Sequence, residues 1–283
     1  MGDQIERIGG SVLQHGREND RIYVMKLREG DEKPVLSAIG DILDTHGYGK
    51  VFVKARASLA DAFLADGYET EAEIPRFFNG EETCLFVSKF LTEQRRLNTG
   101  RWETAQVLSA AQAKKGIGEP VPLPGDFASR QAGQGDAEEM AALYREVFDS
   151  YPFPIHDPAY IVDTMESHVV YWGVWQGADL AALSSSEMDV AGANAEMTDF
   201  ATRPGYRGKG LALCLLQQME AAMAERGIPT VYTIARAVSY GMNITFAKQG
   251  YTYGGTLVNN TQISGAIENM NVWYKHLISG SLT

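Results

Sequence analysis

The chain has 283 residues, 45% of them hydrophobic and 10% aromatic, enough for a real core in one large domain or two of ordinary size. A formal net charge of −11 opposes non-specific binding to nucleic acid or to an anionic membrane surface, and no apolar run approaches the ~18 residues a membrane helix needs. Cys84 and Cys214 are too few for a disulfide framework or a four-cysteine metal site, the five histidines fall at no ligand spacing, and MGDQIERIGG lacks a signal pattern, so no metal and a cytoplasmic location are expected.

RIYVMKL (21–27) reads as a strand, KPVLSAIGDILDTHG (33–47) as an amphipathic helix, KVFVKA (50–55) as a strand, SLADAFLADG (58–67) as a helix and TCLFVSKFL (83–91) as a strand. WETAQVLSAAQAKKG (102–116) looks helical and runs into GIGEPVPLPGDF, whose prolines and glycines can neither continue a helix nor enter a central strand. The expected organisation is therefore an N-terminal α/β domain over 1–95, a helical segment and linker over 96–125, and a second domain over 126–283. In the second, GDAEEMAALYREVFDSY (135–151) is a helix, Asp157-Pro158 opens another, and 169–176 with 178–188 form a hairpin turned at Gly177. NAEMTDFAT is a strand, and after RPGYRGKG come a long helix to about Arg226, a strand (230–236), a helix near 239–249 and strands around 251–258 and 266–277.

The two halves resemble each other. HGYGKVFVKARASLADAFLADGY (46–68) and RGIPTVYTIARAVSYGMNITFAKQGY (226–251) share a strand, an Ala-Arg-Ala, a helix and a closing Gly-Tyr, as tandem copies of one fold would. The first copy has no counterpart of RPGYRGKG, so one anion site per chain is expected.

That loop lies between a strand end and a helix start, where free backbone N–H groups and the positive end of the helix dipole converge on one spot suited to phosphate. Gly208 and Gly210 allow close approach or positive φ, and Arg207 and Lys209 add charge. A Walker loop would need Lys-Ser/Thr after Gly210, where Leu211 and Ala212 stand. A dinucleotide loop would need an acidic residue at the end of strand 230–236, which ends in Ala-Arg-Ala. A basic helix start with no ligand is the remaining alternative.

Arg207-Gly208-Lys209-Gly210-Leu211-Ala212 fits the Q/R-x-x-G-x-G/A signature of the GNAT superfamily of N-acetyltransferases, and the element order from 127 to 277 resembles that whole fold. The resemblance implies an α/β protein with a C-terminal GNAT fold, a mixed central sheet flanked by helices, preceded by a smaller, degenerate GNAT-like α/β domain. It implies acetyl-CoA as co-substrate, with its pyrophosphate on Arg207, Gly208, Lys209, Gly210, Leu211 and Ala212, its pantetheine arm along Phe200, Ala201 and Thr202, and Asn243 near the same arm. QHGRENDRIYVMKL, EAEIPRFFNGEE, EMTDFATRPGYRGKG, GGTLVNNTQI and MNVWYKHL are similar to bacterial and archaeal β-lysine N-acetyltransferases. This closer resemblance implies acetylation of the N6 amine of β-lysine, supplied by a lysine 2,3-aminomutase, to give a compatible solute used in osmoadaptation. Another small diamine, amino acid or aminoglycoside as substrate, or a non-catalytic acyl-CoA sensor, are the alternatives.

An amine attacks a thioester only when neutral, and deprotonating a lysine-type ammonium of pKa about 10.4 at pH 7 costs about 4 to 5 kcal/mol. Glu196 and Asp199 are the candidate bases; three apart, they point to opposite faces of a regular strand unless a bulge intervenes. The tyrosine that many GNAT relatives place four residues before the closing Gly-aromatic pair is here Phe246, which leaves Tyr240, Tyr232 or solvent to protonate the thiolate. Arg236, Asn259 and Asn260 are the candidates for the substrate carboxylate. His15 to Asn19, with Glu71, Glu73 and Arg76, either cover the cleft or tie the two halves together.

Overall fold

The computed structural model describes residues 3–116 and 122–277, so part of the expected linker lies outside the described residues. The first half contains β1 (Gln4–Ile8), β2 (Ser11–Gly16), β3 (Arg21–Lys26), α1 (Glu32–His46), β4 (Lys50–Arg56), α2 (Asp61–Ala65), β5 (Glu69–Phe78) and β6 (Glu82–Phe90). Two connecting helices follow, α3 (Glu93–Arg96) and α4 (Arg101–Gln112). The second half contains β7 (Phe127–Gln131), α5 (Ala137–Val147), α6 (Pro158–Ser167), β8 (Val169–Gln176), β9 (Asp179–Asp189), β10 (Asn194–Thr202), α7 (Leu211–Glu225), β11 (Thr230–Arg236), α8 (Tyr240–Lys248), β12 (Thr252–Ile263) and β13 (Ala266–His276). β1, β2, β5 and β7 were not expected: QIERI and ETEAEIPRFF alternate with charges and carry no long apolar run.

All thirteen strands form one sheet in the order β1-β2-β3-β4-β6-β5-β12-β13-β11-β10-β9-β8-β7. The wiring repeats. In each half a crossover helix, α1 or α7, joins two parallel strands, β3 with β4 and β10 with β11, and a hairpin then pairs its later strand with the second of them. The Gly-Tyr elements repeat to the level of single bonds. Gly67 and Gly250 both have φ +85, and Tyr68 and Tyr251 each donate an N–H to the carbonyl of Phe63 or Phe246, five residues back, at 3.1 Å. Each tyrosine ring meets that same phenylalanine edge-on, at 5.3 and 5.0 Å between centroids. Positive φ at the residue after the helix is why glycine stands there.

β5 and β12 form the seam, with Gly255 opposite Ala72. A Cβ on Gly255 would lie 2.2 Å from the Glu71 carbonyl oxygen, so only glycine permits this approach. The sheet curls across the seam until side chains of β4 and β11 touch: Lys54 Nζ stands 3.1 Å from the Tyr232 hydroxyl, and Phe77 packs edge-on against Tyr232. Lys50 is buried and bonds Glu71 at 2.7 Å and the Val258 carbonyl at 2.7 Å, while Glu71 also accepts from the Ser88 hydroxyl and the Val258 N–H. α4 belongs to the second half by packing: Val107 and Ala111 are buried, the latter in the cluster of Phe246, Tyr251 and Trp273, and Gly116 donates to the Ala247 carbonyl.

Period-two alternation decides which side chains see the cleft. Ala195, Met197 and Val231 point into the core beneath α7. Tyr232, one position on, faces the aromatic side chains of the first half, and Glu196 is its register partner.

Candidate active site

β10 and β11 pair in parallel only at Asn194–Thr230, Ala195–Val231 and Glu196–Tyr232. Beyond that rung they diverge, and Thr198, Asp199, Phe200 and Thr202 on one side and Thr233–Arg236 on the other border a cleft of about 760 Å³, while the side chain of Ala201 is buried in the core beside Leu143 and Tyr144. Backbone groups freed from a ladder need partners, so a splayed parallel pair is a place for an extended ligand to supply them. β10 also changes register against β9 between Thr198 and Ala201, and Asp199 there has φ +55. This bulge reverses the expectation for a regular strand: Glu196 and Asp199 both line the cleft.

The mouth of the cleft is the glycine and arginine loop. Gly208 and Gly210 have φ +79 and +78, Gly210 is the residue preceding α7, and the Cys214 N–H donates to the Gly210 carbonyl to close the first helical turn. The N–H groups of Leu211, Ala212 and Leu213 therefore have no intrahelical acceptor, and all three residues line the cleft with Arg207, Gly208 and Gly210. Arg207 Nε reaches back to the Thr202 carbonyl at 3.2 Å, bracing the loop. Lys209 does not line the cleft, its Nζ standing 5.9 Å from the Phe127 ring centroid, but oriented amides, a helix N-terminus and the Arg207 cation suit a pyrophosphate.

Three carboxylates stand together deeper in. Glu187 on β9 is the register partner of Glu196. Burial and the Glu187 charge push the Glu196 carboxyl up to about 7, only partly offset by Lys54. Burial would raise Glu187 too, but His168, 3.6 Å away, and Lys54 hold it below the ordinary range. Asp199 is raised by burial, against the pull of the Ser185 and Tyr151 hydroxyls, each 2.5 Å from one of its oxygens. A second cavity of about 910 Å³ shares Tyr151, Glu187, Glu196, Thr198 and Asp199 with the first and adds Asp149, Asp157 and Tyr160. An acidic, tyrosine-lined chamber is suited to an ammonium-bearing molecule.

The other expected residues are placed differently. Asn243 is fully buried; its amide donates to the Arg236 and Ser239 carbonyls and accepts from Asn271 and Trp273, which exhausts it, so it has nothing to offer a ligand. Tyr240 is 46% exposed and does not line the cleft. Arg236 lines the cleft but is bound by both oxygens of Glu268, at 2.8 and 2.5 Å, so its charge is already met. Asn259 turns to the first half, donating to the Arg95 and Leu97 carbonyls. Asn260 lines the cleft. Phe246 is packed between Phe200 and Tyr251. Of the first-half residues, Glu71 ties the halves together, whereas Arg21, Tyr23, Met25, Phe52 and Lys54 line the cleft. Sequence reading missed this group and Tyr151. The available signal was the same-face series Arg21-Tyr23-Met25 and Lys50-Phe52-Lys54, charges alternating with aromatics or Met on strands whose opposite faces are apolar up to their last residues.

The family model described as "Acetyltransferase (GNAT) family" matches residues 139–251, which span the carboxylates, the bulge, the loop and the closing Gly-Tyr. Over 273 residues, 96% of this chain and 98% of the relative, the sequence is 38% identical to beta-lysine N(6)-acetyltransferase of Methanococcus maripaludis. The chain belongs to the GNAT family of acetyltransferases. It is also 32% identical to N-acetyltransferase YodP of Bacillus subtilis, over 94% of this chain and 96% of that one, and 32% identical to beta-lysine N(6)-acetyltransferase of Methanosarcina mazei, over 88% and 98%. As a GNAT member the acetyltransferase uses acetyl-CoA as its acetyl donor and acts on an amine. These matches cover the first half as well as the second. Among the described residues no helix is long and apolar enough to cross a membrane.

Proposed function

We propose that this acetyltransferase transfers the acetyl group of acetyl-CoA to the N6 amine of β-lysine. The observation that carries the reading is the near-complete match to relatives with that name, through the half that has no anion loop as well as the half that has one. The acidic chamber beside Glu196 supports it, because β-lysine carries two ammonium groups into the site.

In this reading the loop amides from Gly208 to Ala212, with Arg207, hold the pyrophosphate, and the backbone of Phe200, Ala201 and Thr202 holds the pantetheine arm along the parted strands. The amine enters on the opposite side. Glu196 accepts its proton: a carboxyl near 7 is matched to work at neutral pH, where it is partly ionised and its conjugate acid is not too strong. Glu187, held ionised, attracts the ammonium without competing for the proton. Asp199 keeps Tyr151 and Ser185 in place across the chamber. The neutral amine nitrogen then bonds to the acetyl carbon, gives up its surplus proton to solvent, and the carbon–sulfur bond breaks. The thiolate leaves with its electron pair and takes a proton from solvent, since Tyr240 lies outside the cleft and a thiol of pKa about 8.5 needs little assistance.

The product is N6-acetyl-β-lysine, neutral overall at its zwitterionic end and uncharged at the other, a form suited to accumulation as a compatible solute in the cytoplasm. A reaction that moves the α-amino group of lysine to the β carbon, as an aminomutase does, must supply the substrate. Release of free CoA on mixing enzyme, acetyl-CoA and β-lysine, with mass-spectrometric location of the acetyl group on N6, tests the assignment; faster release with α-lysine or with a simple diamine counts against it.

A further inference from the structure

Outside the cleft carboxylates and Lys54, the charged side chains most fully removed from solvent among the described residues are Arg21, Lys50, Arg95 and Glu220, and all but one are ion-paired. Lys50 has Glu71 at 2.7 Å, Arg95 has Asp20 at 3.0 Å and Glu220 has Lys275 at 2.7 Å. Arg21 has no carboxylate within ion-pairing distance among the described residues, the Asp3 charge acting on it only from further off, yet it is only 5% exposed and lines the cleft. A buried guanidinium without an ion-pair partner costs several kcal/mol unless something else meets it.

Its local partners meet it in part. Nη1 donates to the Asn260 carbonyl at 2.5 Å and to the Thr261 hydroxyl at 3.0 Å, and the guanidinium lies 5.2 Å from the Tyr23 ring centroid and 5.8 Å from that of Phe52. These contacts fix its plane. Nε has no acceptor, and the side-chain oxygen of Asn260, the residue whose carbonyl meets Nη1, is buried without a donor. An unmet guanidinium N–H and an unmet amide oxygen on two residues that line one cleft suit a carboxylate with an ammonium on the carbon beyond its neighbour, as in a β-amino acid.

We propose that Arg21, contributed by the first half, binds the carboxylate of an amino-acid substrate, and that Asn260 accepts from the ammonium on that substrate's β carbon. This rests on the substrate reading above and gives the first half its part in the reaction: it holds the end of the substrate that does not react. It also replaces Arg236, whose fork Glu268 already occupies. Arg21 is in this view a specificity residue, because removing the carboxylate from the substrate leaves the buried cation unmet.

The experiment compares β-lysine and α-lysine with their carboxamides in full-length wild-type enzyme, Arg21→Gln and Arg21→Lys, reading kcat and KM for each amine and KM for acetyl-CoA. In wild type the carboxamides show KM values roughly 10- to 100-fold above the acids, the range for a charge-assisted hydrogen bond. In Arg21→Gln that acid-to-amide ratio collapses towards 1 through a higher KM for the acid, with KM for acetyl-CoA unchanged, and Arg21→Lys restores part of it. The ratio is internal to each variant, so a general loss of activity does not disturb it, and Arg21→Lys serves where the glutamine variant folds poorly. A wild-type ratio near 1, or a ratio that survives in Arg21→Gln, overturns the proposal while leaving β-lysine as substrate. Preference for α-lysine with an Arg21-dependent ratio supports the carboxylate site and removes β-lysine instead.

Discussion

Glu196 and Glu187 are direct register partners on β10 and β9, two carboxylates side by side on one face of the sheet. Their surroundings push them apart in proton affinity: Glu196 up to about 7, Glu187 below the ordinary range beside His168.

Glu196→Gln should lower kcat/KM by roughly 10²- to 10⁴-fold, the usual contribution of a positioned base, and abolish the rising limb of the pH–rate profile that wild type shows around pH 7. An unchanged profile would remove Glu196 as the base.

The same residue sets a pH dependence of stability. Its folded pKa lies above the unfolded value of 4.5, so the fold has its full stability below that value and loses some as pH rises through about 7. At pH 8 Glu196→Gln should therefore be more stable than wild type by about 1–3 kcal/mol, and at pH 4 nearly equal to it. Urea melts at the two pH values measure this.

Asp199 holds the bulge at φ +55, a conformation that asparagine tolerates and a β-branched residue does not. Asp199→Asn should stay within about 1 kcal/mol of wild-type stability, while Asp199→Val should lose about 1–3 kcal/mol and most activity as the bulge reorganises. Denaturant melts and rates on both variants check it.

Gly210→Ala places a Cβ at φ +78 immediately before α7. The strain of about 1–2 kcal/mol should appear as a KM for acetyl-CoA raised by roughly tenfold, with KM for the amine little changed. Equal effects on both would mean that the loop serves the whole cleft rather than the donor.

Lys50→Met leaves the Glu71 carboxylate buried at the seam without its cation. The expected cost is about 3–5 kcal/mol. Because Glu71 also binds the Val258 N–H across the seam, the two halves should loosen together and the melt should stay a single transition.

The loop and the strands around it were legible because their signals are local: glycines where φ is positive, cations beside them, a strand before and an amphipathic helix after. The Gly-Tyr repeat was legible for the same reason, since one hydrogen-bonded helix end dictates both residues. β5 was not, since its partners β6 and β12 supply the burial its own alternation lacks. Asn243 and Arg236 were read as free side chains because a sequence does not show that Trp273 and Asn271, or Glu268, will reach them.

What the sequence determined by itself is the chemistry on offer: a glycine-rich helix start suited to an anion, carboxylates on the strand before it, and a repeated strand, helix and Gly-Tyr pattern of which only the second copy is preceded by that loop. What only the tertiary structure decided is who meets whom. A one-residue bulge put Asp199 on the cleft with Glu196, and a glycine seam at Gly255 let the sheet curl until Arg21 and Lys54, both far from the loop in the chain, lined the same cleft. Hydrogen-bond register and close backbone approach are set by long-range pairing, and local residue patterns do not encode them.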